Sequence, residues 1–165
     1  MRLPIYATAF TAGRIRQSIA NQSWADQVKI IVVEPGMAIN VAPFTIDYIP
    51  VAHSIPEACA LHVDVPPVGS LLHTGDWKID DNPVIGHKTN GDLLKKIGDK
   101  GVLSLICDST NAMVAGHSLS ETDVQKCLIG LFKKFSKKII VTCFATNLAR
   151  LYSIYTAAAG CGRSV

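Results

Sequence analysis

The chain has 165 residues, with 16 Lys and Arg against 13 Asp and Glu and 48% hydrophobic residues. That length suits one ordinary domain, able to bury about 70% of its unfolded surface, and with charged residues at only 18% intrinsic disorder is excluded. A formal charge of +3 does not by itself mark a nucleic-acid binder, and no run reaches the ~18 uncharged apolar residues of a membrane helix.

No basic-then-apolar leader opens the sequence, and both ends read as cut. Phe10 to Gln22 reads as a short helix, with Ile15 and Ile19 four apart and Arg14 and Arg16 off that face. The period then changes. Val28 to Val33 is β-branched and continuous, Glu34-Pro35-Gly36 is a turn signal, and Met37 to Val41 follows. From Phe44 to Val51, Phe44, Ile46 and Tyr48 alternate with Thr45 and Asp47, as in a strand with one wetter face. Ala58 to Val65 and Ser70 to Thr74 flank Pro66-Pro67-Val68-Gly69, a hairpin-like connection. The first ~75 residues therefore predict mostly antiparallel strands at short spacing.

The second half differs. Val102 to Cys107 fits a strand buried on both faces. Ser118-x-x-Glu121 is a capping-box pattern. It opens a helix carrying Val124, Cys127, Leu128, Leu131, Phe132 and Phe135 on one stripe. Ile139 to Cys143 reads as another buried strand and Thr146 to Ala159 as another helix. This βαβα order predicts a parallel, Rossmann-like layer. Five cysteines (59, 107, 127, 143 and 161) include no Cys-x-x-Cys pair, so they predict buried, reduced thiols in a cytoplasmic protein rather than a Cys-ligated zinc site.

Three strand-like runs each end in a residue that can carry chemistry. His53 closes Val51-Ala52-His53-Ser54, as a metal ligand or a structural His. Asp76 follows a glycine in His73-Thr74-Gly75-Asp76-Trp77, as a ligand or a plain turn Asp. Asp108 precedes Ser109, Thr110 and Asn111, as an acid/base, an anchor or an Asx-turn. Strands of one sheet bring such ends to one edge, and one His with two carboxylates suits Zn²⁺ or Mn²⁺.

Six ordered stretches carry a resemblance. They are Ile5-Tyr6-Ala7-Thr8-Ala9-Phe10-Thr11, His53-Ser54-Ile55-Pro56-Glu57, His73-Thr74-Gly75-Asp76-Trp77-Lys78-Ile79-Asp80, Cys107-Asp108-Ser109-Thr110-Asn111, Gly116-His117-Ser118 with Ser120-Glu121, and Thr142 to Arg150. Together they resemble the ribonuclease J family, the bacterial β-CASP branch of the metallo-β-lactamase-fold nucleases. The resemblance implies an α/β (α+β sandwich) fold: a partial metallo-β-lactamase domain with a mixed sheet over 1–117, then the beginning of a β-CASP domain over 118–165. It implies RNA hydrolysis by two metal ions, normally zinc, with manganese as an alternative. His53 would ligate one metal, Asp76 would bridge both, and Asp108 would be an acidic residue beside them. His73 and Ser109 would support the site or face substrate, with a packed strand His as the alternative at 73, and Asn147 and Arg150 would lie near RNA phosphates at a helix start, where capping and surface charge are the alternatives. RNA as partner, a homo-oligomer and no membrane association follow from the same likeness.

The family's His-x-His-x-Asp-His motif and its later histidine motifs are absent from the chain. Two ligands do not hold two zinc ions, because catalytic zinc takes about three protein ligands per ion. The chain is therefore expected to be a catalytically incomplete piece, binding metal weakly or not at all and prone to self-association through open sheet edges. Two other readings stand beside it: another metallo-β-lactamase-fold hydrolase, and a non-catalytic module that binds RNA or a partner.

Overall fold

A computed structural model describes residues 3–165. Strand β1 (Ile5–Ala7) lies parallel to β2 (Ile30–Val32), with helix α1 (Ala9–Ile19) crossing between them. The antiparallel expectation fails for this pair, because a helical crossover returns the chain in the same direction. α1 begins without a side-chain cap of its own, and the Glu57 carboxylate accepts the Phe10 amide at 2.8 Å instead.

A five-stranded sheet follows in the order β3 (Ala38–Val41), β4 (Phe44–Pro50), β5 (Cys59–Val65), β6 (Gly69–His73), β7 (Ser104–Ile106). The first four strands form the predicted antiparallel meander, and β7 adds parallel to β6. The crossover between β6 and β7 contains a helix that periodicity did not single out, α2 (Gly91–Lys100). Asn90 caps it by accepting the Leu93 amide at 3.0 Å. Ile97, Leu93 and Leu94 of α2 pack with Ile49, Val51, Ala58 and Ala60 to make the main core.

Consecutive residues of a strand face opposite sides of its sheet. At the end of β4 both Tyr48 and Ile49 are buried, so the sheet is covered on both faces there. Ile49 joins α2, while the Tyr48 hydroxyl donates to the Tyr6 carbonyl of β1 at 3.3 Å. The simple alternation expected over Phe44–Val51 stops at that point.

Beyond β7 the structure departs further from expectation. Leu105 is 57% exposed, so β7 is an edge strand rather than one buried on both faces. Helices α3 (Glu121–Phe132) and α4 (Leu148–Ala159) form and pack on each other, around Phe132, Ala157 and Ala158. No ladder forms over 139–143, and Ile140 is 84% exposed. A strand needs a neighbour to pair its amides, and none stands beside this segment among the described residues. The apolar stripe expected for this helix is likewise only partly covered: Leu131 of α3 is exposed, and Phe135, also exposed, falls beyond the helix end. Three of the five cysteines expected to be buried (Cys107, Cys127 and Cys143) are exposed, and all five are free thiols. The capping box is shifted as well: Ser120, not Ser118, is the N-cap of α3.

Candidate active site

The rim of the sheet is built by a few clasps. An isolated antiparallel bridge joins Ala52 to Lys78, with the Lys78 amide donating to the Ala52 carbonyl at 3.0 Å. Buried Thr89 locks it. Its hydroxyl accepts the Ala52 amide at 2.9 Å and donates to the Lys78 carbonyl at 2.6 Å. This places His53 next to the turn that carries Asp76. His53 Nδ1 lies 3.2 Å from the Ser54 hydroxyl.

Asp76 follows Gly75, whose φ of +59° lies in the left-handed region. The Gly75 amide donates to His73 Nδ1 at 2.9 Å. His73 thus holds the turn leading to Asp76, but it is exposed at the end of β6 and does not line the cleft. Buried Thr74 ties this turn to the end of the next strand, accepting the Asp108 amide at 3.0 Å. The Asp108 carboxylate accepts the Thr110 hydroxyl at 2.6 Å and its amide at 2.9 Å. These bonds, with smaller help from the His53 ring and the Trp77 amide, hold the Asp108 carboxyl below the usual carboxylate range.

The result is one open cleft of about 910 Å³ lined by His53, Asp76, Asp108, Ser109, Asn111 and His117. The strand ends at 53, 76 and 108 are therefore brought together. A second cavity of about 450 Å³, with Tyr6, Thr8, Tyr48 and Glu57 in its wall, shares His53 and Asp76 with the cleft.

Asn147 and Arg150 are engaged elsewhere. Asn147 caps α4 by accepting the Arg150 amide at 2.9 Å. The Arg150 guanidinium pairs with Glu121 at 3.4 Å, and Glu121 also pairs with Lys78 at 3.3 Å. Arg150 is thus a cross-brace between α3 and α4 and does not line the cleft. His62 is half-buried and bonded to Asp47 of the neighbouring strand at 2.8 Å.

Sequence reasoning assigned no role to Asp80, although it lies within the Trp77–Asp80 stretch. Its carboxylate is buried and accepts the Ser120 hydroxyl at 2.7 Å, the Glu121 amide at 3.0 Å and the Asn82 amide at 3.0 Å, with Lys78 Nζ at 3.0 Å. Burial alone would push this carboxyl up. The hydrogen bonds and Lys78 outweigh that and bring it down to about 2. Asp80 thereby anchors the start of α3 to the Asp76 turn. Its signal was an acid four residues beyond Asp76 with a Lys between them.

The donor set does not fit a dinuclear zinc centre. Among the described residues no group of three or more His, Cys, Asp or Glu side chains is placed to hold a metal ion, whereas catalytic zinc takes about three per ion.

No family model matches the chain. Individual proteins do. Ribonuclease J of Sinorhizobium meliloti is 38% identical over all 165 residues, which is 29% of that protein's length. Over its whole length the chain is homologous to part of ribonuclease J. Ribonuclease J of Mycobacterium tuberculosis H37Rv is 34% identical over 163 residues, and that of Helicobacter pylori 26695 is 33% identical over 155. The chain covers 29% and 22% of these two proteins, so it spans under a third of each of these relatives. A crystal structure of a protein of unknown function from Enterococcus faecalis V583 superposes with a TM-score of 0.65 over 96% of the chain and 43% of that protein. At 17% identity this speaks for the mixed α/β fold alone.

Proposed function

We propose that the chain forms part of the cleft of a ribonuclease J-type RNA hydrolase, with His53, Asp76 and Asp108 as its contribution to the chemistry. The observation that supports this reading most is the convergence of those three residues on one cleft, in a chain alignable end to end with ribonuclease J. Asp108, held below the usual carboxylate range, stays ionised at neutral pH and can orient a water or a donor group of the substrate. Asp76 presents a second carboxylate from the glycine turn, and His53 supplies a ring nitrogen between the two cavities. Ser109, Asn111 and His117 offer hydrogen bonds along the cleft floor. The 3.0 Å Thr74–Asp108 bond keeps the two carboxylate-bearing turns in register, and the Thr89 clasp ties the His53 segment to the first of them.

The described donors do not by themselves make up a dinuclear zinc centre. We propose that the isolated chain does not turn RNA over, and that competence requires donors additional to His53 and Asp76. The division into units at 117/118, self-association and a cytoplasmic location belong to the same proposal. Among the described residues no helix is long and apolar enough to cross a membrane.

The test replaces the matching segment of the Sinorhizobium meliloti ribonuclease J with this chain and follows cleavage of a 5′-labelled single-stranded RNA. Cleavage is expected, with Asp76→Asn slowing it on the order of 100-fold. A folded chimera that leaves RNA intact, or an Asp76→Asn chimera that cuts at the parent rate, overturns the reading. A second reading, a non-catalytic RNA-binding module, is favoured by the lack of a three-donor group. The inert chimera would speak for it.

A further inference from the structure

The modest net charge conceals a sharp division. Residues 1–123 contain nine Lys and Arg against all thirteen Asp and Glu, whereas residues 124–165 contain seven Lys and Arg and no acidic side chain. Four of those seven are the exposed Lys133, Lys134, Lys137 and Lys138, which follow directly on the C-terminus of α3. None of the four pairs with a carboxylate among the described residues. Lys126 and Arg150, by contrast, pair with Asp123 and Glu121.

The segment is held in place. The Arg163 guanidinium donates to the Lys137 carbonyl at 2.9 Å and to the Phe135 carbonyl. The lysines are thus presented from a braced loop, with exposed Phe135 between the two pairs and exposed Phe144 and Tyr155 elsewhere on the same unit. Unpaired cations beside exposed aromatic rings suit a single-stranded polyanion. Phosphates meet the ammonium groups, and bases stack on rings whatever their sequence. An anionic membrane fits less well. A surface helix needs a free apolar face to lie on lipid, and Leu128, Ile129 and Phe132 of α3 are packed with α4.

We propose that Lys133, Lys134, Lys137 and Lys138, with Phe135, form an anchoring surface for single-stranded RNA, separate from the hydrolytic cleft. It lies about 18 Å along α3 from the Ser118 side of that cleft, taking about 1.5 Å per residue over twelve residues. The ligand class rests on the RNA reading above; the location rests on charge and exposure alone.

The test is fluorescence anisotropy of the whole chain with a labelled mixed-sequence RNA of about 20 nucleotides, in chelator so that only binding is read. Replacing all four lysines with Gln is expected to weaken binding tenfold or more. It should also flatten the salt dependence, by roughly 0.7 in the log–log slope for each phosphate left without its ammonium partner. Phe135→Ala is expected to weaken binding about fivefold or more. Replacing Lys95, Lys96 and Lys100 of α2 with Gln should leave affinity within about twofold. Absence of RNA binding by the parent chain overturns the proposal. So does a four-lysine variant, folded by circular dichroism, that keeps affinity and slope, or binding to phosphatidylserine vesicles in preference to RNA. A patch that fails while the chimera still cleaves leaves the hydrolytic reading standing. A chimera that is inert while the patch still binds does the reverse.

Discussion

The five-stranded sheet with α2 and the α3–α4 pair are built on different terms. In the sheet, neighbours in sequence are mostly neighbours in space, so four strands pair in order and one crossover helix closes a core around Ile49 and Val51. The α3–α4 pair buries Phe132 and Ala157 but leaves Ile140 and Phe144 more than four-fifths exposed and carries no acidic residue past Asp123. A meander completes its hydrogen bonding from adjacent sequence. A strand of a parallel layer depends on segments far away along the chain. The first region is therefore expected to carry most of the stability, and the second most of the surface free to meet other molecules.

The largest expected effect tests the first half of that contrast. Ile49→Ala, at a side chain 1% exposed, should cost about 2–5 kcal/mol in urea unfolding. Ile140→Ser, at an exposed position, should change stability by less than about 0.5 kcal/mol and reduce self-association in ultracentrifugation. Equal costs at the two positions would erase the distinction.

Next in size is the tie between the regions. The Asp80 carboxyl lies at about 2 in the folded chain, below its ordinary value near 3.8. A depressed carboxyl stabilises the fold above its ordinary value, and that stabilisation is lost as pH falls from about 5 toward 2. The loss should amount to about 2 kcal/mol in urea melts followed across that range, and Asp80→Asn should remove most of the dependence.

Smaller effects separate the regions by their caps. Asn90 and Asn147 both accept an amide three residues on, at 3.0 and 2.9 Å. Each Asn→Ala change should cost about 1 kcal/mol. If the regions unfold as independent units, hydrogen exchange will show Asn90→Ala loosening α2 and the sheet, and Asn147→Ala loosening α3 and α4. Uniform loosening by either change would mean one cooperative unit and would count against a division at 117/118.

The smallest effect concerns the thiols. Burial, and then Glu57, push the Cys59 thiol up to about 11. At pH 8 a maleimide should therefore label exposed Cys107, Cys127 and Cys143 well before Cys59, as read by mass spectrometry.

The sheet meander was legible because its turns carry Pro and Gly and its strands carry β-branched runs, and α3 and α4 because their apolar residues recur at helical spacing. Helix α2 was missed because only Leu93, Leu94 and Ile97 mark its inner face, and its cap at Asn90 sits in a polar stretch. Ile139 to Cys143 was misread because an apolar β-branched run states a preference but cannot supply a neighbour. At the site, His53, Asp76 and Asp108 were visible as strand-end residues. Thr74, Asp80 and Thr89 were not, since a single buried hydroxyl or carboxylate gains meaning only from partners 34 to 41 residues away. Arg150 stayed ambiguous because a guanidinium near a helix start looks the same in sequence whether it meets a phosphate or Glu121.

Thr89 has one further consequence. A single oxygen atom serves both the amide of Ala52, the residue before His53, and the carbonyl two residues past Asp76. Neither rim loop can swing without loosening its companion, so the imidazole and the carboxylate travel together. The irregular stretch over 109–119, which also lines the cleft, lies outside that clasp.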